Sequence, residues 1–262
     1  MRDTMTAGVE EWRRIHQQAL AGDDGEGWCA KSIYEAMLAI FFLSVDGEEF
    51  VFRGHLNADW QLVPSFFRLK PRANLMLHAR AVYGAYKWAE KEVGSSLDLT
   101  PFGAEAAAQH YGAGTTLLDV TESLRVAAFF ATTPLRSTDK QGQFGAIYCL
   151  NVDDLGNMGR GVLRARSLPD ALVRIHRTKG AFISGLGYLD DANAKPVRSA
   201  GDIIDWMNKS RRVISELDEA GIGIAANFMA RTHSGTSIVK FKQTGAQFED
   251  RLWGVSREQL SY

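Results

Sequence analysis

The chain has 262 residues, enough to bury one substantial core or a core domain with an appendage. Its 30 Lys and Arg balance 31 Asp and Glu, leaving a net charge of -1, which gives no support to broad electrostatic capture of nucleic acid or of an anionic membrane. Two cysteines, Cys29 and Cys149, are too few and too distant for a disulfide framework, and six scattered histidines lack the spacing of a metal cluster, so no metal is expected.

The first 22 residues are charged and contain no apolar run of the kind a signal peptide needs. The longest apolar stretch, Ala36 to Val45, is too short to span a bilayer, so no membrane partner is expected and the cytoplasm is the expected address. Val9 to Leu20 reads as a helix with Trp12, Ile15 and Leu20 near one face. It ends in the turn-rich linker Ala21 to Gly27. Trp28 to Val45 reads as a second helix, which together suggests a helical N-terminal extension over 1–45 and a main domain over 46–262.

Beyond the Asp46-Gly47 turn, Phe50 to Arg53 is a short β-like run. Helices are expected over Ala73 to Val93, Ala104 to Tyr111 and Leu124 to Thr132, with an extended stretch from Thr115 to Val120 between the last two. Phe144 to Val152 is the clearest strand, rich in β-branched and aromatic residues. The block Val173 to Ile183 alternates and predicts a strand or hairpin with a basic face. Asp202 to Gly221 reads as a late helix and Ser237 to Phe241 as a last strand. Helices interspersed with short strands, with no Gly-x-Gly-x-x-Gly opening a βαβ unit, point to an α+β domain built on a mixed, mainly antiparallel sheet flanked by helices.

Three blocks concentrate polar residues within apolar surroundings. The first is Phe50-Val51-Phe52-Arg53-Gly54-His55, followed by Asp59-Trp60-Gln61-Leu62-Val63-Pro64-Ser65-Phe66-Phe67-Arg68. An arginine among strand formers lies close to the sheet, and its planar fork suits a phosphate or carboxylate. The alternative is an edge arginine paired with a local acid. Gly54 admits close approach of a ligand or of another backbone.

The second block is Gln109-His110-Tyr111-Gly112, then Thr115 to Ser123 with Asp119 and Thr121 inside it. Thr121 suits the N-cap of the following helix and Glu122 its dipole, while Asp119 and His110 lie beside apolar runs and are expected to be partly buried. The third block is Val173 to Ile183 itself. No P-loop, Gly-x-Ser-x-Gly elbow or partnered cysteine nucleophile is present.

Taken in order, these blocks resemble the FRG family, whose pattern runs Phe/Tyr-Arg-Gly, Trp-x-Leu-x-Pro-Ser-x-Phe-Arg, Gln-His-Tyr-Gly, Leu-Leu-Asp-Trp-Thr and a late Gln-x-Gly-x-Phe. The resemblance runs from Phe50 to Phe182 and more weakly to Phe228. This chain has Ala113-Gly114-Thr115-Thr116 where the family has Leu-Pro-Thr-Arg, Val120 where it has tryptophan, and Thr178 or Lys179 where it has the late glutamine.

The family's motif order is similar to that of ADP-ribosyltransferases of the Arg–Ser–Glu type, and its members occur near prophage, toxin and defence genes. The resemblance therefore implies an ADP-ribosyltransferase-like architecture with NAD as substrate, a nucleotide ligand, and a protein or nucleic acid as acceptor. On this reading Arg53 anchors the pyrophosphate, and Gln109, His110, Tyr111, Thr121 and Ser123 line the cofactor pocket with Asp119 beside them. Gln247-Phe248-Glu249 supplies the Gln-x-Glu spacing, which on a strand puts Gln247 and Glu249 on one face. Gln247 would then orient an acceptor while Glu249 stabilises the oxocarbenium-like sugar. The competing readings are a solvated charged end at Glu249 to Arg251 and, for the whole chain, a nucleotide or single-strand binding module built from Arg53, Arg68, Arg174, His176, Arg177 and Lys179 with Trp60 and Tyr111.

Overall fold

The computed structural model describes residues 29–43, 49–68, 75–134, 141–157, 162–184, 194–209 and 236–243. The chain divides into two compact units. The first takes residues 1–60, 122–153 and 235–261, and the second takes 61–121 and 154–234 with the last residue.

In the first unit, β1 (Cys29–Ala30), β2 (Phe50–His55), β4 (Phe144–Asn151) and β7 (Thr236–Lys242) lie in the order β1-β7-β4-β2. β2 and β4 are antiparallel, as are β4 and β7, whereas β1 runs parallel to β7. Helix α1 (Ile33–Leu43) packs on β7, and helix α5 (Leu124–Thr132) packs on β2 and β4. Ala36, Met37 and Ile40 of α1 share a buried cluster with Phe52, Ala127, Phe129, Ile147 and Phe241. The helix expected in an N-terminal extension thus shares the core of this unit. Cys149 is buried there too, and burial pushes its thiol up to about 12, leaving it protonated at neutral pH.

The second unit holds β3 (Leu117–Thr121), β5 (Val162–Arg164) and β6 (Gly180–Ser184), ordered β3-β6-β5 with both pairings antiparallel. Around them stand α2 (Ser65–Arg68), α3 (Leu75–Val93), α4 (Pro101–His110), α7 (Val173–Arg177) and α8 (Ala200–Lys209), while α6 (Val152–Asn157) spans the change of unit along the chain. Within the two units, every strand pairing described above except β1 with β7 is antiparallel, and the chain is an α+β protein as expected.

Local chemistry accounts for the helix ends. Thr100 caps α4 by accepting from the Gly103 N–H at 3.3 Å, Pro101 fits the first turn, and the Ala-rich run that follows favours helix. The cap of α5 is Ser123, which accepts from the Val126 N–H at 3.5 Å, and not Thr121. The block expected as a strand or hairpin is instead the short helix α7, and extended structure begins only at Gly180. The late helix is described from Ala200 to Lys209; its expected remainder to Gly221, and the expected helix over Val9 to Leu20, lie outside the described residues.

The end of α3 is tied down by one carboxylate. Glu90 accepts from the Tyr86 hydroxyl at 2.8 Å, the Leu97 N–H at 3.0 Å and the Ser96 hydroxyl at 3.3 Å, and it pairs with the Lys87 ammonium. Burial acts to raise its pKa, but the bonds from Lys87, Leu97 and Tyr86 outweigh burial and hold the carboxyl at about 2. A depressed folded pKa gives stability that is complete above the ordinary carboxylate range and fades as pH falls through about 2. Glu90→Gln is therefore expected to cost about 1–2 kcal/mol at neutral pH, allowing for the solvated Lys87 partner. Urea midpoints measured against pH should show the difference from wild type shrinking below the ordinary carboxylate pKa; a difference independent of pH would remove the ionised carboxylate from the explanation.

Candidate functional site

The Phe-Arg-Gly block lies on β2, and the strand's alternation gives each of its residues a different task. Phe52 is buried in the core of the first unit. Gly54 falls on the same face two residues on, where α5 passes so close that a Cβ would stand 1.8 Å from the Ala127 carbonyl oxygen and 2.7 Å from the Ala131 nitrogen. The close approach that this glycine admits is therefore that of another backbone.

Arg53 and His55 point to the opposite face. The Arg53 Nε–H donates to His55 Nε2 at 2.9 Å, a bond that requires a lone pair on Nε2 and hence a neutral ring protonated at Nδ1. His55 is 2% exposed. The register pairs Arg53 with Tyr148, whose ring centroid lies 4.8 Å from that of His55. Burial pushes the Tyr148 phenol above its ordinary range, with the Arg53 cation opposing that rise. Trp60, 39% exposed, stands edge-on to His55 at 6.1 Å, and its carbonyl accepts from the Tyr148 hydroxyl at 3.5 Å. The result is a guanidinium steadied by a neutral imidazole, and that imidazole meets a phenol and an indole. The contact with His55 engages Nε and brings no negative charge to Arg53.

The second unit gathers Gln109, His110, Tyr111 and Asp119. His110 is 5% exposed and meets Phe182 edge-on at 5.7 Å. Burial pushes its pKa below the ordinary value, Asp119 works against that, and Arg174 adds to it, so the imidazole is neutral at pH 7. Asp119 is half-buried on β3, opposite Phe182 of β6. Gln109 accepts from the Thr115 hydroxyl at 2.6 Å, and the Thr115 N–H donates to Ser65 Oγ at 3.0 Å. Two of the motif blocks, one around Ser65 and one around Gln109, are thereby bonded to each other.

Thr121 is 4% exposed, and its hydroxyl donates to the carbonyl oxygen of Thr178 at 2.7 Å and of Lys179 at 3.3 Å. It fastens the turn from α7 into β6, where Lys179 takes the left-handed conformation at φ 47°. That turn is where the family's late glutamine would fall. Ser123 belongs to the first unit and caps α5. Gln247 and Glu249 lie outside the described residues.

Sequence reasoning missed His55 and Tyr148 as members of the Arg53 cluster. The i, i+2 spacing of Arg53 and His55 carried a signal for the first. Tyr148 enters only through the register of a strand more than ninety residues away in the chain, a non-local pairing that no short motif reports.

Among the described residues no group of three or more His, Cys, Asp or Glu is placed to hold a metal ion, and no helix is long and apolar enough to cross a membrane. Comparison with curated proteins and with solved structures finds no match. A family model for the FRG domain matches residues 48–140, a span that contains the Arg53 strand, the Gln109-His110-Tyr111-Gly112 turn and Asp119 but ends before the Val173 block. With the Phe-Arg-Gly strand, the Ser65 to Thr115 tie and the buried His110 all inside that span, residues 48–140 of the chain are an FRG domain.

Proposed function

We propose that this protein handles a nucleotide through Arg53, and that the nucleotide is NAD, used as the substrate of an ADP-ribosyltransferase-like reaction. The single observation that carries the reading is the Arg53 cluster. A guanidinium oriented by a neutral imidazole, which in turn meets a phenol and a partly exposed indole, suits an anion attached to a flat ring. Steadying by His55 lowers the ordering cost of gripping a pyrophosphate. In such a transfer nicotinamide leaves with little covalent help, so placement and charge carry the catalysis. Glu249 is the candidate carboxylate for the developing cation, Gln247 the candidate for orienting the acceptor, and Asp119 a further candidate catalytic acid.

The test is nicotinamide release from NAD by the full chain, read beside NAD binding by calorimetry. Arg53→Ala is expected to abolish both while the circular dichroism spectrum stays that of wild type. His55→Ala is expected to weaken binding about tenfold, through loss of orientation and not of charge. Glu249→Gln should leave binding intact and stop release. Binding without release in the wild-type chain would turn the reading to a nucleotide sensor, and a wild-type chain that neither binds nor cleaves NAD would end it.

A further inference from the structure

One surface cluster of the second unit takes no part in the Arg53 site. Trp88 sits on α3 with its indole 46% exposed, while its neighbours Tyr86 and Ala89 face the core. Tyr111, immediately after α4, meets Trp88 edge-on, with centroids 5.0 Å apart at 89°. The Arg174 guanidinium of α7 lies 5.1 Å from the centroid of the Tyr111 ring. Gly112 follows at φ 91°, and the position its Cβ would take has nothing within 4 Å, so the space beside the tyrosine is open.

We propose that Trp88, Tyr111 and Arg174 form a second binding site, which takes an aromatic base carrying a phosphate. An apolar peptide would have no use for Arg174, and a bare anion none for Trp88. A flat ring with negative charge attached uses both, the ring stacking on the indole and the phosphate meeting the guanidinium. The contact with Tyr111 is edge-to-face, and it leaves Trp88 46% exposed. Exposed Lys91, one turn along α3, and exposed Arg177, one turn along α7, add positive charge, against which stands exposed Glu92. The NAD reading gave Tyr111 to the cofactor pocket; here Tyr111 stands instead with Trp88 and Arg174, none of which makes a contact described for the Arg53 cluster.

Such a ring and phosphate occur in free nucleotides and in single-stranded nucleic acid, and two titrations of the full chain at low salt separate them. One follows the anisotropy of a short fluorescent oligothymidylate, and the other follows AMP by calorimetry. Saturable binding in at least one titration is expected in a chain that carries Arg53→Ala, so that the Arg53 site does not contribute, and it is weakened about tenfold or more when Trp88→Ala or Arg174→Ala is added. Binding of AMP assigns the site to free nucleotides, and binding of the oligonucleotide alone assigns it to single strands. Both side chains are exposed, so folded variants are expected, and circular dichroism checks this. Absence of binding in both titrations, or binding that Trp88→Ala and Arg174→Ala leave unchanged, overturns the proposal.

Discussion

Gly54→Ala is expected to leave the protein largely unfolded or insoluble, with a loss of about 3 kcal/mol or more in any fraction that folds. The new methyl would stand 1.8 Å from the Ala127 carbonyl oxygen, and the Ala131 nitrogen is also inside contact distance. Both atoms are helix backbone, so no rotamer change relieves the clash. Relief requires moving α5 off β2, and Ala127, Ala128 and Ala131 are all 0% exposed in the core that would open. Urea denaturation of the purified variant is the measurement. Gly84 provides the control of opposite sign, because it lies inside α3, is exposed, and a Cβ there would meet nothing within 4 Å. Gly84→Ala is expected to stabilise the protein by about 0.5–1 kcal/mol through helix propensity alone. A Gly54→Ala protein with a wild-type midpoint would show that α5 does not bear on β2 as described.

This result bears on what a short motif means. In Phe-Arg-Gly, the first and third residues face the core and hold the strand against a helix, and only the arginine between them is turned to the other face of the strand. A glycine in such a motif invites a ligand-approach reading, but here the approaching group is the protein's own backbone.

The elements legible in the sequence were those whose period repeats often enough to be unambiguous. Helices over Leu75–Val93 and Leu124–Thr132 and the strand Phe144–Asn151 fall where apolar spacing put them. Val173–Arg177 was misread because Val-Arg-Ile-His-Arg has too few residues to separate a period of two from one of 3.6, and its β-branched residues tilted the reading toward strand. Its partner choice is tertiary: Ile175 is buried among α4 and β6 residues, and that packing overrides propensity. The two-residue β1 and three-residue β5 carry no periodic signal at all. In the Arg53 cluster, the place of the arginine on a strand was readable from its neighbours, whereas Tyr148 depends on sheet register.

The least legible feature is Glu105, a charged residue in an Ala-rich helix that a sequence assigns to the surface. It is 0% exposed. One carboxylate oxygen accepts from the Thr116 hydroxyl at 2.5 Å, and the other lies 3.0 Å from His78 Nε2. Thr116 is 0% and His78 8% exposed, and the His78 ring packs on Phe66 at 4.3 Å. The carboxylate thus binds α4 to α3 and to the lead-in of β3, one helical turn before Gln109 and His110. Glu105→Ala removes the acceptor for two buried polar groups and leaves a void. It is expected to cost about 3 kcal/mol or more, most of it from stranding Thr116 and His78. Glu105→Gln keeps the volume and one oxygen, so a milder loss of about 1–2 kcal/mol is expected. Pairing Glu105→Ala with Thr116→Val, which removes one stranded hydroxyl, should recover part of the loss, and urea midpoints of the four proteins in that cycle measure the coupling. Strict additivity would mean that the Thr116 bond contributes nothing. A Glu105→Ala midpoint within about 0.5 kcal/mol of wild type would mean that the buried carboxylate does not hold these helices to the strand.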